Sequence, residues 1–415
     1  MFALLDKSIN YSKADIAGVI LLSVIWGERL LYYVRSVLLR LPIIGKFAEP
    51  FIAITIIAVI LFTYRYVRLK IQPRDVFFLF VVGAIYLSHM LFFPANEKFL
   101  SDKAADYFLM VLPFFLLGVV CDIDKCIGLL EKISLAYIIL GVLYFYYVSS
   151  VVETYEMDTT VDQMGIAYQY LPHVLLVLYS LLKKFNILYL IGFLLGIFMI
   201  IGTGNRGSLL LIAVFLLFYF LFSGEKLVSW GRIILVGVIA IALLNMGSLM
   251  NLLYIVLDDM GLSVRSLIFL MDNNFMDDNG RDAVQTNLYI AMQNSPLLGY
   301  GLCGDRVING DYGDFAHNLY IEMIISFGPF LGLLIFSSIL VLLFWGFRNA
   351  KSNNQRFFFL LLFCCGFLKL FLSSSFMGER LFYMLLGFSV ALIRSHKKDS
   401  NHHEHIDNRR ILGVC

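Results

Sequence analysis

Residues 317–347 read HNLYIEMIISFGPFLGLLIFSSILVLLFWGF, a run whose only formal charge is Glu322. As one unbroken helix it would measure about 46 Å at 1.5 Å per residue, well beyond a hydrocarbon core of roughly 30 Å. Gly328-Pro329 interrupts it. Proline removes a backbone donor and clashes with the preceding turn. The expectation is a short helix from His317 to Phe327 kinked into a membrane-spanning one.

The rest of the chain has the same character. Of 415 residues, 60% are hydrophobic and 15% charged, and the mean hydropathy is +0.83. A soluble domain is about 45–50% apolar and about 25% charged, so a soluble enzyme is excluded. With Phe 38 and Tyr 23, disorder is excluded too. A formal charge of +2 gives no case for a nucleic-acid partner. Apolar runs of span length fall near 15–34, 47–66, 75–93, 104–121, 133–150, 165–182, 186–203, 207–223, 232–249, 317–347, 357–376 and 379–394. Their continuity, without alternation, favours helices over barrel strands. The expected fold is an all-α polytopic integral membrane protein of about 12 transmembrane helices. The first run, starting near Ala14, has no small-residue cleavage site after it and reads as a retained span rather than a signal peptide. The cysteines (121, 126, 303, 364, 365 and 415) show no zinc spacing.

Lys and Arg set the sidedness. With a cytoplasmic N-terminus, roughly 20 of them fall in inner segments, including Arg65, Arg68, Lys70 and Arg74, and Arg394, Lys397 and Lys398. Arg35, Arg40 and Lys46 are a local exception, whereas the acidic 150–164 loop (Glu153, Glu156, Asp158, Asp162) agrees. Both termini are expected in the cytoplasm.

The chain then divides into a bundle of about nine helices at 1–249, an outer-face loop at 250–316, helices ten to twelve at 317–394 and a cytoplasmic tail at 395–415. The loop is too long to be idle. Within it Asn279 and Asp282 suggest a helix start. Val284, Leu288, Ala291 and Met292 recur at i, i+4, i+7 and i+8, the stripe of an amphipathic helix near 281–294. It is expected to lie against the outer membrane face or the bundle.

Few side chains in so apolar a chain carry chemistry. Arg206 stands in Gly202-Thr203-Gly204-Asn205-Arg206-Gly207-Ser208, a glycine-rich hinge at a helix start. There a fork of donors can approach a phosphate closely, aided by the helix N-terminus; an interfacial anchor would read the same way. Arg281 opens the amphipathic helix, as a phosphate ligand or as a solvated charge. His317 and Asn318 open helix ten with Glu322 on the next turn, and histidine titrates where proton transfer needs it. Lys369, Glu379 and Arg380 form a second polar cluster, either functional or an ion pair holding helices together. Glu28-Arg29 reads as a structural pair, and His89 and His173 as packed polar residues. No residues have metal-site spacing, and the tail His402-His403-Glu404-His405 reads as solvated. Gly299-Tyr300-Gly301-Leu302-Cys303-Gly304 matches a dinucleotide fingerprint by letter, but lacks the strand, helix and distal acid that give it meaning. It is expected to be a flexible turn.

Four stretches carry a resemblance. They are Gly202 to Leu209; Gly280-Arg281-Asp282 with Asn294-Ser295-Pro296-Leu297-Leu298-Gly299-Tyr300-Gly301; Ala316-His317-Asn318-Leu319-Tyr320-Ile321-Glu322 with Phe327-Gly328 and Gly332; and Met164-Gly165-Ile166-Ala167-Tyr168 with Ser373 to Ser375. In these, in their order and in the long loop before helix ten, the chain resembles the O-antigen polymerase and ligase superfamily. It looks most like Wzy-type polymerases of surface polysaccharide. Asn205 stands where serine is common in the family, and the Pro329 kink is a second departure.

The resemblance implies a GT-C-like fold and an inverting glycosyltransferase that uses no metal, nucleotide or other cofactor. Its substrates would be undecaprenyl-diphosphate-linked oligosaccharide repeat units, joined into O-antigen or capsular polysaccharide on the outer face of the bacterial cytoplasmic (inner) membrane. Its partners would be the bilayer, a chain-length regulator and a flippase. On this reading Arg206 and Arg281 clamp the diphosphate. His317 orients or deprotonates the acceptor hydroxyl, with Glu322 or Asp314 assisting. Asn318, Lys369 and Arg380 contact substrate, and Tyr289, Tyr300, Tyr312 and Phe315 are candidates for stacking on sugars. The rivals are an O-antigen ligase, which passes the glycan to lipid A core, and a flippase or other transporter. No internal repeat of the transporter kind is present in the sequence.

Overall fold

The computed structural model describes residues 12–27, 45–152, 163–202, 205–222, 247–248, 251, 254–255, 281–310 and 315–411. Regular structure among the described residues is entirely helical. The first helices are α1 (Lys13–Trp26), α2 (Gly45–Val67), α3 (Pro73–Phe92), α4 (Glu97–Asp106) and α5 (Phe114–Val120). They are followed by α6 (Ile123–Val152), α7 (Gln163–Lys183), α8 (Ile187–Gly202) and α9 (Arg206–Phe222). The later ones are α10 (Arg281–Gln293), α11 (Gly304–Ile308), α12 (Leu319–Phe327), α13 (Pro329–Arg348), α14 (Asn353–Leu362) and α15 (Arg380–Ile411).

Five helical stretches among the described residues are long and apolar enough to cross a bilayer: Pro73–Phe92, Pro94–Val120, Gly165–Lys183, Pro329–Arg348 and Asn353–Phe371. The chain is a membrane protein. Several other expected spans are apolar but short, with 14 residues in α1, 16 in α8 and 17 in α9. The expected span at 232–249 lies outside the described residues except at 247–248. Glu28-Arg29 and the acidic residues 153–162 also lie outside them. The run at 395–411, expected as a tail, continues α15 as helix.

The chain divides into two compact units, residues 1–68 with 122–278 and residues 69–121 with 279–415. The first is organised around α7, where Leu171, Val174, Leu175, Leu176, Val177 and Leu178 have no exposed surface. Small residues let its neighbours approach, as membrane helix packing requires. A Cβ on Gly192 or Gly196 of α8 would overlap Leu135 or Val174, and one on Gly141 of α6 would overlap Tyr170. Several polar residues inside this unit are linked. Trp26 Nε1 donates to Ser134 Oγ at 3.1 Å, Ser134 Oγ lies 3.0 Å from His173 Nδ1, and Tyr137 stacks on that imidazole at 4.0 Å. His173 is thus the packed polar residue expected.

In the second unit α5 and α15 meet backbone to backbone. A Cβ on Gly118 would strike Met384 and Phe388, and one on Gly387 would strike Phe115 and Val119. Asp75 starts α3, accepting the Gln72 amide at 2.8 Å, and also binds the Arg394 guanidinium of α15 through both oxygens, one contact being 2.8 Å. One buried carboxylate therefore closes a helix terminus and joins two helices.

The run that opened the sequence breaks rather than kinks. Gly328 adopts φ 81° and ψ 168° between α12 and α13, a region open essentially only to glycine. Its amide donates to Ile324 O at 2.8 Å and its carbonyl accepts the Gly332 amide at 2.9 Å, so one residue ends α12 and starts α13. A Cβ on Gly332 would collide with the Met323 backbone, so α13 folds back along α12. Pro329 sits at the first position of α13, where a missing amide costs nothing. The break therefore comes from Gly328, and Pro329 only begins the next helix.

Candidate functional site

Arg206 is the first residue of α9 and is half-buried. Asn205 caps the helix, its Oδ1 accepting the Ser208 amide at 2.9 Å. That role suits asparagine as well as the serine common in the family, because both present a short side-chain oxygen. Gly207 is required by its neighbour, since a Cβ there would overlap the Tyr168 hydroxyl. The first and fourth stretches of the resemblance, 202–209 and 164–168, thus meet in the first unit.

The remaining candidates gather in the second unit. Helix α10 buries Val284 and Leu288 against Ala316, Ile321 and Ile325, with Ala291 and Met292 packed alongside. The apolar stripe thus faces the helix that follows His317. Arg281 is the first residue of α10. Its side chain, like Asp282's, lies outside what is described, as do Asn279, Tyr312 and Asp314.

His317 adopts φ 49°, a left-handed conformation uncommon for any residue but glycine. Its ring packs on Phe315 with centroids 4.0 Å apart. Asn318 is the N-cap of α12, and its Oδ1 accepts the amides of Tyr320 at 3.0 Å and Ile321 at 3.4 Å. Glu322, on the buried face, accepts from the Ser375 hydroxyl and, at 3.2 Å, from the Phe376 amide. It joins α12 to the 373–378 turn.

Two residues that sequence reading passed over sit beside these. Asp305 and Arg306 of α11 are buried. Asp305 Oδ2 accepts the Ala316 amide at 2.9 Å, and Arg306 Nη1 reaches Cys303 Sγ at 3.5 Å. They directly follow the 299–304 turn expected to be flexible, which the structure shows pinned. Asn96 Nδ2 donates to Tyr300 O at 2.8 Å and Leu302 O at 2.9 Å, His89 Nδ1 accepts the Leu302 amide at 2.8 Å, and the Tyr300 amide donates to Ile325 O at 2.7 Å. Gly299 at φ 72° and Gly301 at φ 84° allow this close approach. The spacing of these glycines serves packing.

Burial pushes the Glu322 carboxyl up to about 8, the neighbouring Asp305 charge adding to the rise while Ser375 and Phe376 oppose it. Asp305 is raised too, chiefly by burial. A carboxyl raised by folding holds its proton in the native state where the unfolded chain has lost it. The stability it contributes is complete below the ordinary carboxylate range and is lost as pH rises toward about 8. Glu322→Gln removes the charge while its Oε1 accepts the Phe376 amide and its Nε2 donates to the Ser375 hydroxyl, so it should flatten that decline and unfold at a higher temperature than wild type at pH 9. Thermal unfolding of detergent-solubilised protein at pH 5 and pH 9 measures this, and an unchanged pH slope would contradict it.

Lys369 is ion-paired with Glu379, which also accepts from Ser374 at 3.3 Å and from the Leu381 amide at 3.3 Å. Of the two readings of this cluster, the geometry displays the helix-joining pair. Arg380 lies over the Phe114 ring at 5.4 Å. Of the aromatic candidates, Tyr289 is exposed. The Tyr300 hydroxyl is directed to Ala291 O and Asn294 O at 3.3 and 3.4 Å.

Residues 191–337 match the family Wzy_C, described as O-Antigen ligase. No curated protein matches, and no solved structure does. The matched segment contains Arg206, Arg281, His317, Asn318 and Glu322, as well as Asp305 and Arg306, and leaves out Lys369 and Arg380. The match covers about a third of the chain, and it supports the resemblance of the chain to the O-antigen polymerase and ligase superfamily.

Proposed function

We propose that the protein is a polysaccharide polymerase. It joins oligosaccharide repeat units carried on undecaprenyl diphosphate, at the outer face of the cytoplasmic membrane, within a bundle of about twelve spans. The reading rests above all on His317, held in a left-handed turn at the head of α12 inside the family-matched segment. An acceptor sugar hydroxyl attacks the anomeric carbon of the donor, and the bond from that carbon to the diphosphate oxygen breaks. The hydroxyl proton passes to His317 and the electron pair leaves with the diphosphate. The configuration at the anomeric carbon inverts.

Arg206 and Arg281 bind diphosphate in this account, because planar guanidinium forks match phosphate oxygens and fixed cations stabilise the charge that develops on departure. Lys369 and Arg380 remain proposed substrate contacts. Asn318 and Glu322 act through structure, one capping α12 and the other anchoring it, which is what their bonds support.

The test is a deletion strain that makes the glycan, complemented with Arg206→Ala or Arg281→Ala. Long polymer should collapse to single-repeat glycan at unchanged protein level, and normal chain length in both variants would contradict the assignment. The family description favours one other reading, a ligase that transfers glycan to lipid A core. A deletion strain that keeps short glycan attached to lipid A supports the polymerase, and one that loses all attached glycan supports the ligase.

A further inference from the structure

A left-handed turn at a histidine has to be held. The φ of 49° at His317 costs of order 1–3 kcal/mol in a residue with a Cβ, and such a conformation persists only where its surroundings determine it. On the C-terminal side the Asn318 cap supplies the restraint, since its Oδ1 takes two amides of the first turn of α12. On the N-terminal side the chain is restrained at Ala316, which is fully buried and donates its amide to Asp305 Oδ2 at 2.9 Å.

Asp305 is firmly set itself. It is 1% exposed. It belongs to α11, which the left-handed Cys303 begins at φ 62°. Cys303 Sγ in turn lies 3.6 Å from Met377 Sδ, next to Phe376, whose amide Glu322 accepts. Two buried carboxyls therefore grip the ends of one segment: Asp305 holds the residue before His317, and Glu322 holds α12 one turn after it.

We propose that Asp305 is a positioning residue for His317, its carboxylate fixing the Ala316 amide and through it the turn that presents the imidazole to the acceptor hydroxyl. The assignment rests on the reading of His317 as the proton acceptor. It names a function for a residue that acts through the backbone amide next to His317. Asparagine can replace it, because a carboxamide oxygen accepts the same amide. Alanine cannot.

The experiment uses the full chain reconstituted with lipid-linked repeat units. Asp305→Ala should lower kcat by about 10–100-fold, the loss expected from displacing a reacting group by about an ångström, and should leave KM within about 3-fold because substrate contacts remain. Asp305→Asn should recover kcat to within about 3-fold of wild type, since the hydrogen bond is restored. In the His317→Ala background Asp305→Ala should add no further loss, because residues acting as a unit are not additive. Hydrogen exchange of the peptide around 315–319 should accelerate in Asp305→Ala and remain protected in Asp305→Asn.

Wild-type kcat in Asp305→Ala alongside an inactive His317→Ala would overturn this inference and leave the proposed function standing. A fully active His317→Ala would overturn the proposed function itself. Additive losses in the double variant, or a folded Asp305→Asn that is inactive or unprotected at 315–319, would also overturn the positioning role. If Asp305→Ala fails to fold, the asparagine variant still decides by its exchange and its kcat.

Discussion

His317→Ala is expected to abolish long polymer, with the turnover of lipid-linked repeat units falling by about 10²–10⁴-fold, the usual contribution of a positioned general base. That span corresponds to about 3–5 kcal/mol of barrier. The loss should lie in kcat, because the imidazole accepts a proton only as the glycosidic bond forms. The fold should survive. Ala316 stays buried with its amide on Asp305, and Asn318 still caps α12. Alanine at φ 49° is no easier than histidine, so no strain is relieved. Thermal unfolding should therefore match wild type while activity disappears, and a variant that retains wild-type turnover would remove His317 from the mechanism.

Gly328→Ala should have the largest effect on stability. At φ 81° and ψ 168° the residue occupies a conformation that an L side chain pays of order 1–3 kcal/mol to adopt. The new Cβ would also overlap the Leu297 carbonyl, so a total of about 3 kcal/mol or more is expected. The damage has a definite place. Leu297 and Gly299 pack on Gly328, and Tyr300 donates to Ile325 O, so forcing them apart loosens α12 and everything arranged on it. Pro329→Ala is the contrast, since a proline at the first position of a helix is tolerated rather than required. A shift below about 1 kcal/mol is expected for it. Equal melting temperatures for Gly328→Ala and wild type would show that Gly328 does not make the break.

These two sites also show what could be read from sequence. The membrane class was evident in residues 317–347, because no soluble core absorbs such a run. The α10 stripe was evident because Val284, Leu288, Ala291 and Met292 obey the helical period. The break between α12 and α13 was placed correctly and attributed to the wrong residue. Proline is conspicuous in a sequence, whereas the backbone angle that glycine permits is not. Gly332 belonged to the resemblance without a reason, and its reason is the Met323 backbone against which α13 folds.

Asp305 was missed for a related cause. It follows Gly299-Tyr300-Gly301-Leu302-Cys303-Gly304, where glycines suggest mobility and a lone carboxylate suggests solvent. Only the tertiary contacts of Asn96, His89 and Ile325 turn that loop into a rigid support. Asparagine at 205 looked like a departure, yet its capping bond to Ser208 shows the same physics as serine. His317, Asn318 and Glu322 stood out because polar residues in an apolar run are few. The bonds by which Asn318 caps α12 and Glu322 anchors it are ones that composition does not reveal.

The central claim is that this chain joins lipid-linked repeat units through His317. The most direct measurement reconstitutes the purified full chain in liposomes with purified undecaprenyl-diphosphate-linked repeat units, with a chelator present and no nucleotide, and resolves product length by gel electrophoresis. The account predicts a ladder of polymer from wild type and only the single repeat unit from His317→Ala. Unchanged single repeats from folded wild type, or the same ladder from His317→Ala, would contradict it.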